Sequence, residues 1–230
     1  MHEEAEALGV SIVTGHTARY ADCSFPWVGG ATALAVGDPS DVIRPDGARV
    51  GDDLLVTKGP AVEATGLLTT LFPEQFDLPP ETLRAAQSRV DETDCVRDAM
   101  TAAAAGGVHA MHDATECGLF GALTEVADGA GVRLDISTEE IPLRPGVREA
   151  CDYLDIDPWA ATTGGTLVLA VDPDATDRVV SALEAEGTPV GVAGTVRAGS
   201  GVVVDGESVA HPDVDPSWAA YEELTRRAEE

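Results

Sequence analysis

Residues 102–126 constrain the fold more than any other stretch of this chain. Ala102 to Ala105 and Gly106-Gly107 read as a helix end and a turn. Val108-His109-Ala110 reads as a short strand, and Leu119, Phe120, Leu123 and Val126 as one face of an amphipathic helix. Between strand and helix lies Met111-His112-Asp113-Ala114-Thr115-Glu116-Cys117-Gly118. The first N–H groups of a helix have no intrahelical partner, and the helix dipole favours an anion beside them. Asp113-x-Thr115-Glu116-x-Gly118 therefore admits two readings. It can face a phosphate, with Thr115 and backbone amides on the oxygens and Asp113 or Glu116 on Mg²⁺. It can equally be a helix cap, with Asp113 or Thr115 capping and Glu116 favouring the positive end.

The remaining pattern interleaves strands and helices without regular βαβ units. Glu3 to Leu8 reads as a helix ended by Gly9, with strands at Val10 to Val13 and Pro26 to Val36. A linker from Gly37 to Gly47 follows. Strands are expected at 53–57, 132–136, 166–171 and 190–196, with an Asp-Gly hairpin over 202–209. Helices are expected near 61–71, 80–88, 93–105, 146–154, 175–186 and 217–229, the last capped by Ser217. The fold class is α+β. A helix remnant and two strands make an odd start for a domain, and suggest that the chain begins partway through a larger one. The expected division is 1–45, 46–200 and a terminal hairpin and helix over 201–230.

Three further segments could meet a ligand. Thr162-Thr163-Gly164-Gly165-Thr166 precedes a strand, and paired glycines let a backbone approach a ligand or simply turn tightly. Lys58-Gly59-Pro60 closes another strand. Lys58 is the one lysine of the chain, and it is either an anion binder or a surface side chain. Gly15-His16-Thr17 closes the first strand, where a histidine can bind, exchange a proton or hydrogen-bond to its own turn. His2, His109 and His211 show no partner pattern. P-loop, dinucleotide-binding and nucleophile-elbow motifs are absent from the sequence.

Charge decides which partners to exclude. With 14 basic and 41 acidic residues the net charge is −27. Such a surface repels nucleic acid and anionic membrane. The carboxylates are spread along the chain, which fits a folded protein adapted to a salty cytoplasm, where salt screens their repulsion. Cys23, Cys95, Cys117 and Cys151 are far apart and lack zinc spacing, so they read as reduced, small apolar residues. The opening Met1-His2-Glu3-Glu4 resembles no signal peptide, and no apolar run approaches membrane-spanning length.

Taken in order, Gly9 to Thr17, Asp53 to Gly59, His109 to Leu119 and Thr163 to Leu167 resemble the aminoimidazole ribonucleotide synthetase superfamily. The likeness is greatest to the hydrogenase-maturation dehydratases and their archaeal relatives, and runs to about Val196. It implies an ATP-using homodimer that activates an amide- or carbonyl-type small molecule by phosphoryl transfer, with Mg²⁺ on the phosphates. On that resemblance Lys58, Gly59, Asp113, Thr115, Glu116, Gly118, Thr163, Gly164 and Gly165 face the nucleotide, Asp113 also touches the metal, and His16 and Thr17 lie at the substrate cleft. It also implies a synthetase-type C-terminal domain preceded by the remnant of an N-terminal dimerisation and ATP domain.

Several positions depart from the family pattern. Thr14 stands where the first of two glycines is usual, and Cys117 replaces a common glycine. The segment carrying the main metal-binding aspartates has no counterpart. The chain ends Arg226-Arg227-Ala228-Glu229-Glu230, without the terminal cysteine of the dehydratase. The alternative reading is a non-catalytic nucleotide-binding or dimeric scaffold protein.

Overall fold

The computed structural model describes residues 2–16 and 30–229. The chain divides into two units, Met1–Pro39 and Ser40–Glu230. In the first, α1 (His2–Ala7) buries no residue. The strand expected at Val10 to Val13 does not form, and Val13 is 87% exposed. Residues 30–36 of the second expected strand form none either, and 26–29 lie outside the described residues. A strand is held by ladder hydrogen bonds to a neighbour, and these segments pair with nothing among the described residues. His16 is exposed; Thr17 and Cys23 lie outside the described residues.

The second unit is a seven-stranded sheet with helices on both faces. In chain order it contains β1 (Asp53–Thr57), α2 (Val62–Leu71), α3 (Pro80–Gln87), α4 (Val96–Ala105), β2 (Val108–Ala114), α5 (Gly118–Ala130), β3 (Arg133–Ile136) and α6 (Val147–Leu154). It continues with β4 (Thr166–Val171), α7 (Thr176–Ala185), β5 (Val190–Arg197), β6 (Gly201–Val204), β7 (Glu207–Val209) and α8 (Pro216–Ala228). The strand order is β2-β4-β1-β5-β3-β6-β7, and every neighbouring pair is antiparallel except β3 and β6.

Alternation along the strands separates two cores. Leu54, Val56, Ala110, Val168, Leu134, Ile136 and Val202 pack on one face against Leu119, Leu123 and Val126 of α5. Leu55, Leu167, Leu169 and Val171 pack on the other against Ala102 of α4 and Val179 and Leu183 of α7. Each fully buried leucine contributes roughly 1.5–3 kcal/mol over an exposed one. Beyond the sheet, α2, α3, α6 and α8 bury Leu68, Phe76, Ala150 and Leu224 together.

Two local expectations are corrected. Met111 to Ala114 are not a junction but the second half of β2, which pairs with β4 as far as Ala114↔Thr166. And α8 begins at Pro216, with Asp215 as its cap: the Asp215 side chain accepts from Ser217 N–H at 2.8 Å. A proline at the first helical position favours the residue before it as cap.

Candidate functional site at the β1, β2 and β4 loops

β1 and β2 both run antiparallel to β4, so their C-terminal ends and the start of β4 share one edge of the sheet. Three loops therefore converge there: 58–61, 115–117 and 162–165. They are bonded to one another directly. Thr163 N–H donates to Thr115 O at 3.3 Å. The buried Thr163 hydroxyl accepts from Val62 N–H and lies 3.0 Å from Gly59 O, to which the Thr166 hydroxyl donates at 2.7 Å. Gly164 N–H donates to Glu63 Oε2 at 3.1 Å.

Backbone conformation and close packing explain the glycines at positions 59 and 165. Lys58, Gly59 and Ala61 all have positive φ, of 55°, 96° and 51°. A Cβ on Gly59 would lie 1.8 Å from Pro142 O. Gly165 has φ 96°, and a Cβ there would lie 2.2 Å from Glu92 O. Both glycines thus admit a neighbouring stretch of this chain's own backbone.

The expected residues differ sharply in access. Asp113, Thr115 and Glu116 are exposed, Gly164 is half-buried, and Lys58, Gly59, Gly118, Thr163 and Gly165 are buried. The Lys58 ammonium forms an ion pair with Asp98 at 2.7 Å and donates to Asp94 O. Asp98 in turn accepts from the Thr188 hydroxyl at 2.6 Å. Lys58 is therefore neither a surface lysine nor a free cation. Asp113 does not cap α5: it extends from β2 on the side of Met111, which packs in the α4 and α7 core rather than the α5 core. Thr115 does not cap it either, since the residue at that position is Cys117, in the left-handed region with φ 60°.

The anion at the α5 N-terminus comes from the chain itself. Asp215 is 4% exposed, and its Oδ2 accepts from Cys117 N–H at 2.7 Å. Two further amides there are also taken: Gly118 N–H by Thr115 O and Phe120 N–H by Trp159 O. Thr162 N–H donates to the Ser217 hydroxyl at 3.0 Å, so the start of α8 and its cap clasp two of the three loops. Sequence reasoning missed Asp215 and Glu63, and named Ser217 only as a helix cap. Asp215-Pro216 carries the capping signal for α8, but nothing local links it to Cys117.

Burial and nearby carboxylates favour the neutral form of the two thiols near these loops. Burial, then Asp215, Glu116 and Glu125, raises the Cys117 thiol above its ordinary range. Burial and Asp113 raise Cys95 despite Lys58 nearby. Two histidines meet Glu125 beside this region: His112 Nε2 lies 2.7 Å from Oε2, and His211 Nε2 4.0 Å from Oε1. Among the described residues no group of three or more His, Cys, Asp or Glu side chains is arranged to hold a metal ion. No helix among them is long and apolar enough to cross a membrane.

A mostly antiparallel sheet flanked by helices, with three bonded loops at one edge, defines an α+β domain of the synthetase type. Residues 49–207 match the family described as AIR synthase related protein, C-terminal domain, and the chain belongs to that family. A carbamoyl dehydratase HypE of Rhodobacter capsulatus is 32% identical over 220 residues, covering 91% of this chain and 57% of that protein. The crystal structure of E. coli HypE, a hydrogenase maturation protein, superposes with a TM-score of 0.64 at 26% identity, covering 76% of this chain and 54% of that one. A structure of HypE in complex with ATP has the same fold, with a TM-score of 0.56 at 20% identity over 76% of this chain and 55% of that one. The chain spans about half the length of the curated relatives it matches.

Proposed function

We propose that this chain supplies the C-terminal domain of an ATP-dependent enzyme that activates an amide- or carbonyl-type small molecule by phosphoryl transfer. The observation that carries the reading is the convergence of Gly59, Thr115, Thr163 and Gly164 at one sheet edge, in a family with a relative solved in complex with ATP. Exposed Asp113, Thr115 and Glu116 then face the nucleotide, while buried Gly59, Gly118, Thr163 and Gly165 shape the loops that present them.

Electrostatics set a condition on this reading. Glu63, Asp113, Glu116 and Asp215 surround the loops, and the nearest cation, Lys58, is already paired with Asp98. A bare polyphosphate meets repulsion here, so Mg²⁺ must travel with it. Asp113 fits such an ion as a single exposed carboxylate, because Mg²⁺ commonly takes one or two carboxylates besides phosphate oxygens and water. Association as a homodimer belongs to the same proposal.

A second reading, a nucleotide-binding or dimeric scaffold without catalysis, draws support from the Asp215 carboxylate already seated at the α5 N-terminus. Calorimetry with ATP at high salt, with and without Mg²⁺, tests both. Magnesium-dependent binding followed by ADP release with an acceptor supports the enzyme. Binding without turnover supports a nucleotide-binding scaffold, and no heat with Mg-ATP overturns the enzyme and the nucleotide-binding scaffold alike, leaving only the dimeric one.

A further inference from the structure

Among the described residues the sheet is covered on both faces only over part of its width. α4 and α7 pack over β1, β2 and β4, whereas the same face of β3, β5 and β6 carries Arg133, Asp135, Val203 and Arg197. Their side chains are partly or largely accessible, with Arg133 42%, Asp135 32% and Arg197 58% exposed. A cavity of about 560 Å³ opens on this face, lined by Arg133, Asp135, Ser137, Gly194, Val203 and Gly206 among others.

The charges here run against the rest of the molecule. Arg133 and Arg197 stand directly opposite each other across β3 and β5. Like charges in that position repel, and the chain has only 14 basic residues to place. One carboxylate serves both: Asp135 Oδ2 lies 2.7 Å from Arg133 Nη2 and 3.8 Å from Arg197 Nε. The trio keeps one net positive charge. Arg133 Nε and Asp135 Oδ1 are buried without a hydrogen-bond partner among the described residues, and such groups are normally satisfied. The site lies away from the loop edge, because β5 meets Thr57 with Val190 at its other end.

We propose that this open sheet face binds a small organic anion, with a carboxylate or phosphate held between Arg133 and Arg197 and its body resting in the cavity against Val203 and Gly194. Planar guanidinium groups suit either oxyanion. Asp135 holds the arginines apart from solvent anions until the ligand displaces it from Arg197, the longer of its two contacts.

Amide NMR titrations of the full chain with succinate and, separately, inorganic phosphate, each up to about 10 mM, test this. Saturable shifts at Gly194, Arg197 and Val203 are expected with at least one probe. Succinate alone marks a carboxylate site, phosphate alone a phosphate site, and both a general oxyanion site. Arg197→Gln is expected to weaken binding about tenfold or more, and Arg148→Gln, an exposed arginine elsewhere, to leave it unchanged. Asp135→Asn removes the internal competitor and is expected to tighten binding several-fold. Absence of saturation with both probes overturns the proposal. So does wild-type affinity in Arg197→Gln, or unchanged or weaker binding in Asp135→Asn.

Discussion

The Asp215 carboxylate accepts a hydrogen bond from the Cys117 backbone N–H at 2.7 Å, across 98 residues of sequence. The same carboxylate caps α8 through Ser217 N–H. Two helix starts thus share one buried anion, and its two oxygens divide the work. Removing it orphans donors on both helices. Asp215→Ala is expected to lower the unfolding free energy by about 3 kcal/mol, since each orphaned buried donor costs roughly 1–3 kcal/mol. Asp215→Asn, which retains one acceptor oxygen, should lose about half of that. Chemical denaturation measures both, and a wild-type midpoint in the alanine variant would show the bond to be dispensable.

Lys58 and Asp98 form the buried ion pair at the end of β1, each with a side chain 9% exposed. Breaking a buried pair from one side leaves an uncompensated charge, at a cost of about 3–5 kcal/mol. Lys58→Met should therefore destabilise strongly, and Lys58→Met with Asp98→Leu should recover part of the loss. A double variant no better than the single one contradicts this.

Asp113→Asn is expected to weaken Mg-nucleotide binding about tenfold, because the exposed carboxylate is the proposed contact to the metal-bound phosphates. Its effect on folding should be small, given that exposure. Calorimetry on the protein with its full nucleotide site reads the first and thermal melting the second; equal nucleotide affinity removes Asp113 from the site.

Burial raises the Cys151 thiol from its ordinary 9.0 to about 12, with Thr65 offsetting a little of the shift. The neutral thiol is favoured in the folded chain, so its contribution is complete below the unfolded value. It is lost as pH rises from about 9 towards about 12, at up to roughly 1.4 kcal/mol per pH unit. Cys151→Ala should flatten the alkaline limb of the stability–pH curve; parallel limbs in the two proteins would falsify this assignment.

With a net charge of −27, self-repulsion opposes compaction and salt relieves it. The melting temperature should climb steadily between about 0.1 M and about 2 M potassium chloride, as repulsion is screened over shorter distances. Cooperative folding at full stability in dilute buffer would separate the charge from any need for salt.

Much of the second unit was legible from periodicity. Leu167 and Leu169 alternate with Val168 and Ala170 between opposite cores, and Asp205-Gly206 marks the turn between β6 and β7. β2 was cut short because His112 and Asp113 interrupt its apolar alternation, although His112 still reaches Glu125 on α5 and Asp113 lies opposite. Val10 to Val13 has the composition of a strand, but composition supplies no partner. At the loops, the glycines and Thr163 were found as residues, whereas their function as mutual struts was not. That depends on contacts such as Thr163 to Gly59, 104 residues apart. The roles of Lys58 and Asp215 were hidden for the same reason, since burial is a property of the assembled layers.

The strand order carries a consequence for synthesis. β1 lies in the middle of the sheet, yet both its neighbours, β4 and β5, come late in the chain. Thr57 waits for Leu167, which follows it by 110 residues, to donate the hydrogen bond that secures their strands. At ribosomal speed that interval is on the order of ten seconds. For that time a buried-to-be apolar strand, Leu54-Leu55-Val56, emerges with both edges open. A nascent chain of this topology depends on chaperones, or on the repulsion of its own carboxylates, to keep one unfinished copy from pairing with another.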